Sequence, residues 1–512
     1  MTQSTLGLIL ISAALCTAAQ RGGYRRISLA ELRDKIEGGW AGQMIGVSYG
    51  APTEFRAQGK INESELPKWT PDRVSNSLDQ DDLYVEMTLA KVLDDRGLGA
   101  TTADFGAVFH KAQYPLWHAN LAARRNLKRG VLAVGAGAPY VNAHAHDIDF
   151  QIEADFIGLM APGLPQVATG LALKIGPMIN HGDGIYGGVF IASMYAAAFF
   201  ENDPRAVVEA GLACLPRKSR YAKLVRDVLT WSAQYPQDWK RVWKLIQDKW
   251  DQRDACPKGA LRPYNIDANI NGGYVALGLL YGRRDFSKTI EIATRSGQDS
   301  DCNPSTAGGI LGVMLGYRQI PEEWKSGIPG IAGKKFAYTD FSFRSIVEST
   351  QKRAVALVAK HGGRLEGDQL VVKAQKPKPA PLDVWDDYGS PVERIPASDA
   401  RWNFQGGWRT QGETRIANQK GAAALISFEG TGAMICGPLL PSGGKAEVFL
   451  DGDLERMIDV YPDEDATKPA EAVWHTFGLR RGKHTVILVV QGQTYPGSKG
   501  ADVAIEDLVV FR

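Results

Sequence analysis

The chain has 512 residues, 44% of them hydrophobic and 23% charged, with 59 Lys+Arg against 57 Asp+Glu and a formal net charge of +2. That length exceeds what one hydrophobic core usually serves, so two or more domains are expected. Balanced charges of both signs exclude a dedicated nucleic-acid surface or anionic-membrane patch, and the apolar content is ordinary for a globular chain.

In chain order, Leu6 to Leu15 (LGLILISAAL) is an apolar run too short to span a bilayer, followed by the small residues Thr17-Ala18-Ala19. Residues 1–23 are therefore expected to be a signal peptide, and the protein extracytoplasmic, secreted or periplasmic, although MTQST lacks the usual positive charge. No membrane association is expected unless Cys16 is lipidated, and Leu15 is unusual before such a site. Cys214, Cys256, Cys302 and Cys436 form no recognisable disulfide framework.

Residues 24–372 read as helical. LAELRDKIEGGWAGQMIG puts Leu29, Leu32, Ile36 and Trp40 on one stripe, and a proline-broken polar loop spans Lys60 to Ser77. NSLDQDDLYVEMTLAKVL then sets Asp79, Asp81 and Asp82 at the start of an amphipathic helix whose apolar face is Leu83, Val85, Met87, Leu89 and Val92. Acidic residues favour a first turn, but Gln80-Asp81-Asp82 carries more charge than a cap requires. Further helices are expected at Thr102 to Gln113 and Leu116 to Lys128.

His144, His146, Asp147 and Asp149 form a dense polar group. Zinc takes imidazole and carboxylate ligands, yet the spacing fits no standard zinc motif. The alternatives are that Asp147 or Asp149 lines a cleft, or that the group solvates a loop. Gln151, Glu153 and Asp155 open the next helix, where one of them could face a metal. Asn180-His181-Gly182-Asp183-Gly184 is a glycine-loosened turn into the apolar stretch Gly187 to Phe200. Asn180, His181 and Asp183 are candidate substrate contacts, with a buried helix start and a satisfied histidine as the alternative. Trp239, Trp243 and Trp250 read as core.

The domain is organised around Ala293 to Tyr317. One helix is expected to stop at Gly297, and another to restart with Asn303 as N-cap and Pro304 in the first turn. Gly308, Gly312 and Gly316 make a bare stripe suited to the close approach of another backbone. The loop between presents Asp299 and Asp301, alternate residues that can point the same way, as ligands of a hard cation would. Helix capping is the alternative. Two acidic clusters, each at a helix start, suit one shared metal site.

Three segments in order carry a resemblance. Asp34 to Phe55 resembles the opening helix and loop of the ADP-ribosylglycohydrolase family. Gln80-Asp81-Asp82 stands where that family has Thr-Asp-Asp, and Gly297 to Cys302 stands where it has Gly-Gly-Asp-Thr-Asp-Thr. The resemblance implies an all-α domain with a cleft for two Mg2+ ions. Its ligands would be Asp81, Asp82, Asp299 and Asp301, with Gln80 and Cys302 at threonine positions. A thiol is a poor magnesium partner, so one ion or two stays open. Glu54 matches a glutamate that, in some family members, lies on a mobile loop over the metals and takes part in the chemistry. The catalytic candidates are Glu54, Asp82, Asp147 and Glu153.

Residues 373–388, opening with KAQKPKPAP, read as a Pro/Lys-rich linker. Residues 389–512 change to short alternating strands with glycine turns, an all-β sandwich. This part resembles the galactose-binding-like jelly-roll modules of extracellular glycan-active enzymes. Trp402, Trp408, Trp474 or Tyr495 could stack on a sugar, with core packing as the alternative. The whole reads as a multidomain, Mg-dependent hydrolase of an N- or O-glycosidic bond of a ribose-like sugar. It would take a small-molecule or glycan substrate and no nucleic acid. The alternatives are a secreted glycoside hydrolase acting on an environmental glycan, and a non-catalytic sugar- or nucleotide-binding protein. The sequence specifies no oligomeric state.

Overall fold

A computed structural model describes residues 23–251, 254–383 and 388–512. Residues 1–22 of the expected signal peptide, Cys16 among them, lie outside the described residues, as does the linker stretch 384–387. Helices fill the chain from Leu29 to Lys360, and strands fill it from Pro391 to Phe511. No helix among the described residues is long and apolar enough to cross a membrane.

The helical part is built on one antiparallel pair, Leu29–Gly50 against Cys302–Leu315. Both helices carry bare positions at four-residue spacing, so their backbones touch. A Cβ added to Gly42 would stand 2.1 Å from the Gly308 carbonyl oxygen, and one on Gly46 would stand 2.1 Å from that of Pro304. In return, a Cβ on Gly312 would lie 2.0 Å from the Gly38 carbonyl oxygen. No side chain fits between them, which is why the sequence tolerates the low helix propensity of so many glycines. The third glycine of the stripe, Gly316, ends the helix at φ 79 instead of packing in it. The buried Lys35 ammonium donates to the carbonyls of Val313 (3.1 Å) and Met314 (3.2 Å), satisfying groups that a helix C-terminus leaves unpaired.

The second helix begins two residues earlier than its sequence suggests. Asp301 holds the N-cap position and Cys302 opens the helix, so Asn303 lies inside the first turn. Its side-chain amide donates to Asn271 Oδ1 (2.9 Å), tying the turn to the Ala268–Gly282 helix. A short three-stranded sheet closes the helical part: Tyr24–Ser28 pairs with Gln369–Lys373, which pairs with Arg364–Glu366. The first strand has no alternation to announce it, since only Ile27 is buried.

The β-sandwich has a five-stranded and a four-stranded sheet, with a small three-stranded sheet at one end. Ala424, Ile426, Phe428, Val486, Leu488 and Val490 alternate inward from the five-stranded sheet. Every residue of Gly432–Leu439, in the four-stranded sheet, is buried. Its second face is covered by the helical part, where Met434 and Cys436 pack with Ala143 and Ala260. Ion pairs surround that seam. Arg124 meets Glu464, Arg129 Nη1 reaches Asp463 Oδ2 at 2.7 Å, and Arg394 joins Asp507 (2.7 Å) while donating to the Pro257 carbonyl (2.6 Å).

Candidate metal cleft

The glycine pair fixes the loop before Cys302 against the end of the first helix. A Cβ on Gly50 would meet the Ser300 carbonyl oxygen at 2.1 Å, and Thr53 Oγ1 lies 2.8 Å from Ser300 Oγ. Gln298 takes a left-handed backbone (φ 52), and its side chain is clamped by the amide of Asn265 (3.0 Å) and the carbonyl of Pro263 (2.9 Å). Phe55, also left-handed at φ 49, donates its amide to the Gln298 carbonyl (2.9 Å). Two strained residues thus flank the loop that carries Asp299 and Asp301.

Residues of the two acidic clusters come together around Asp301. Asp82, Asp301 and Cys302 each offer one ligand atom within 4.8 Å of the others, and so do Glu54, Asp299 and Asp301. Cys302 Sγ donates to Asp82 Oδ2 at 3.2 Å. The other oxygen of Asp82 and Oδ1 of Asp301 are buried and have no hydrogen-bond partner. A buried carboxylate oxygen with no partner is costly unless a cation meets it, and this donor set is dominated by hard oxygen. Mg2+ therefore fits Asp82, Asp299, Asp301 and Glu54. Cys302 is the one soft atom in the group.

Charge crowding is severe. Burial and then Asp82 push the Asp301 carboxyl up to about 7, while burial, Asp301 and Glu54 push Asp299 well above the carboxylate range. Burial followed by Asp81 does the same to Asp82. Glu54 sits at the rim, where withdrawal of its carboxyl from water, then Asp301 and Asp81, raise it to about 8.

Glu54, Asp299, Asp301 and Cys302 open onto a cavity of about 280 Å³ whose walls also include Gln80, Asp81, His118, Asp149 and Lys258. Asp81 lines it but stands outside both ligand groups, and Gln80 donates its amide to Asn76 Oδ1 (3.0 Å). Asp149 is the member of its polar group that reaches the cleft, pushed up to about 8 by burial and Asp147.

Several expected site residues lie elsewhere. Asp147 does not line the cleft, because its carboxylate is drawn to His144 Nδ1 at 2.6 Å. Glu153 is fully buried behind Asp149, where the Asn120 amide holds it. Asn180 is no substrate contact: it is buried, accepting from the Phe150 amide (3.0 Å) and donating to the carbonyls of Ala145 and Asp147. His181 lies 3.7 Å from Asp383, and Asp183 accepts from the Tyr221 amide (3.2 Å). Asp183 and Asp383 border a different cavity, of about 690 Å³. Trp402 and Trp474 are buried in the sandwich, Trp408 donates to the Ala423 carbonyl, and Tyr495 is covered by the Arg129 guanidinium at 4.3 Å, so none presents a bare platform.

Sequence reasoning missed Glu86, four residues after Asp82 on the same helix face, a spacing that could have revealed it. It is fully buried and accepts from the Phe156 amide (2.9 Å). His118 and Lys258 carried no signal, since each reaches the cleft from a loop or a helix start far away in sequence.

The ADP-ribosylglycohydrolase family model matches residues 28–359. The chain belongs to that family. Among solved structures, an ADP-ribosylglycohydrolase-related protein complex is similar at 16% identity and a TM-score of 0.41, covering 64% of this chain and 99% of the other. Two proteins of Flavonifractor plautii also match. One is an A type blood N-acetyl-alpha-D-galactosamine deacetylase, 31% identical over 26% of this chain and 17% of its own length. The other is an A type blood alpha-D-galactosamine galactosaminidase, 28% identical over 24% of this chain and 12% of its own length. The chain thus spans less than a fifth of either curated relative.

Proposed function

We propose that the protein is a magnesium-dependent hydrolase of an N- or O-glycosidic bond on a ribose-like sugar. The observation that carries this is the pair of unpartnered buried oxygens, Asp82 Oδ1 and Asp301 Oδ1, in one ligand group of which Asp301 and Cys302 line an open cleft. Asp82, Asp299 and Asp301 would hold the cation, with Glu54 at the rim and Asp81 along the wall. When bound, magnesium would orient a sugar diol, offset the carboxylate repulsion and acidify water for attack at the anomeric carbon.

The chain's own residues supply the rest. Glu54, raised to about 8, can hold a proton at neutral pH and move it to or from an oxygen at the cleft mouth. Asp149 is poised similarly on the opposite side of the polar group. Phe55 and Trp117 line the cleft and limit water, while Lys258 adds positive charge suited to an anionic leaving group. Glu153 supports this arrangement from behind through Asn120 instead of meeting substrate.

A second reading is a secreted hydrolase of an environmental glycan. The β-sandwich beside the cleft favours it: Lys468, from that module, sits 4.3 Å over the ring of Trp117 in the cleft wall. The partial matches to two galactosamine-processing enzymes point the same way. The expected export signal would agree with it. Assaying ADP-ribose conjugates beside aryl furanosides and pyranosides, with Mg2+ and with EDTA, separates the readings. Release of ADP-ribose alone supports the first, and release of the aryl alcohol from an aryl glycoside alone supports the second. Hydrolysis that EDTA leaves untouched contradicts both.

A further inference from the structure

Beside the cleft lies a second polar cluster of different chemistry. His118, His144, Asp147 and Cys256 each offer one ligand atom within 4.8 Å of the others. They come from three separate segments: the start of the His118–Lys128 helix, the loop before Asp149, and the loop after Trp250. We propose that these four side chains form a zinc site that shares the His118 wall of the cleft but none of its magnesium ligands, and that locks the helical part to the β-sandwich.

The distances fit. Zinc bound to nitrogen and oxygen at about 2.0–2.1 Å and to sulfur at about 2.3 Å in a tetrahedron sets its ligand atoms roughly 3.3–3.8 Å apart. His118 Nδ1 lies 3.7 Å from Asp147 Oδ2, and Cys256 Sγ lies 3.7 Å from His144 Nδ1. His144 Nδ1 and Asp147 Oδ2, at 2.6 Å, share a proton that zinc would displace, and Cys256 would lose its thiol proton. Both protons leave to solvent.

The orientation fits as well. His118 Nδ1 is buried and has no hydrogen-bond partner. The opposite ring nitrogens are anchored outward: His118 Nε2 to the Tyr264 hydroxyl at 2.9 Å, and His144 Nε2 to Glu471 Oε2 at 3.0 Å. An imidazole whose far nitrogen is held by a carboxylate or hydroxyl is the usual support of a metal ligand. His118 moreover takes a left-handed backbone (φ 45) that aims its ring there. A thiol–imidazole nucleophile is the competing reading of Cys256 and His144. Cys256 is 1% exposed, and burial holds its thiol well above its ordinary range, the reverse of an activated nucleophile.

Glu471 belongs to the strand Lys468–Thr476, so the site spans the seam between the two parts. The test loads the full chain with cobalt(II) and reads the near-ultraviolet thiolate-to-cobalt absorption in wild type, Cys302→Ser and Cys256→Ser. The band is expected in wild type and Cys302→Ser and lost in Cys256→Ser. Any other pattern overturns the site. A second measurement does not depend on Cys256 variants folding. Zinc, but not magnesium, should raise the thermal midpoint of the wild-type chain, and Glu471→Gln should weaken zinc affinity about 10- to 100-fold. No zinc-dependent rise, or unchanged affinity in Glu471→Gln, overturns it.

Discussion

Two buried polar clusters stand side by side, and they differ in kind. In the cleft, Asp82, Asp299, Asp301 and Glu54 gather negative charge with only one sulfur among them. In the neighbouring cluster, imidazoles outnumber the single carboxylate, and each ring is braced by an outward hydrogen bond. The first is crowded, with carboxyls held protonated by burial and by each other. The second is largely balanced without a metal, because His144 sits between Asp147 and Glu471. A site poised for reaction keeps open, unpartnered oxygens, whereas a site suited to bracing satisfies its atoms from behind.

Breaking the crowded cluster should have the largest effect. Asp301→Ala removes a residue common to both ligand groups, and turnover should fall by roughly 10³-fold, measured by initial rates at saturating Mg2+. Retained turnover would remove Asp301 from the reaction. Glu54→Gln keeps the shape and loses the proton, and kcat should drop by roughly 10²-fold with KM little changed. A pure KM effect would make Glu54 a binding group only.

The scaffold that holds the crowded cluster can be broken separately. Gly42→Ala places a methyl against the Gly308 carbonyl and should cost about 2 kcal/mol in chemical denaturation. An unchanged midpoint would mean the helix pair yields easily.

The pH dependence follows from the raised carboxyls. Asp301 (about 7) and Glu54 (about 8) hold protons in the folded chain at pH values where they would be ionised unfolded. Metal-free stability should therefore fall as pH rises from about 4.5 to 8. Added Mg2+ should offset that loss, so its thermal shift should grow over the same window. A shift that shrinks with rising pH contradicts the crowding. The smallest effect is expected from Cys302→Ser, where a harder oxygen should tighten Mg2+ binding by less than about tenfold.

Much of this was legible in the sequence where one physical constraint acted alone. The bare positions Gly308 and Gly312 called for a close backbone, and contact with Gly42 and Gly38 is what forms, while Gly316 ends the helix instead. The approach of Asp82 to Asp301 was readable because each sits at a helix start, where direction is fixed, whereas Gln80 and Asp81 stay outside the ligand groups. Legibility failed where direction depends on tertiary packing. Nothing local reveals that Asn180 turns inward to hold a loop, or that Asp147 faces His144 while Asp149 faces the cleft. His118 and Cys256 meet across 138 residues, and no spacing rule joins them. The full burial of Gly432–Leu439 likewise reflects the helical part behind it, not its own alternation.

Calorimetric titration of Mg2+ into the chelator-treated full chain, wild type beside Asp301→Asn, tests the cleft most directly. Saturable heat in the wild type, abolished in the variant, is the predicted result. No binding by the wild type, or equal binding by both, would contradict a divalent cation held at the head of the glycine-paired helices.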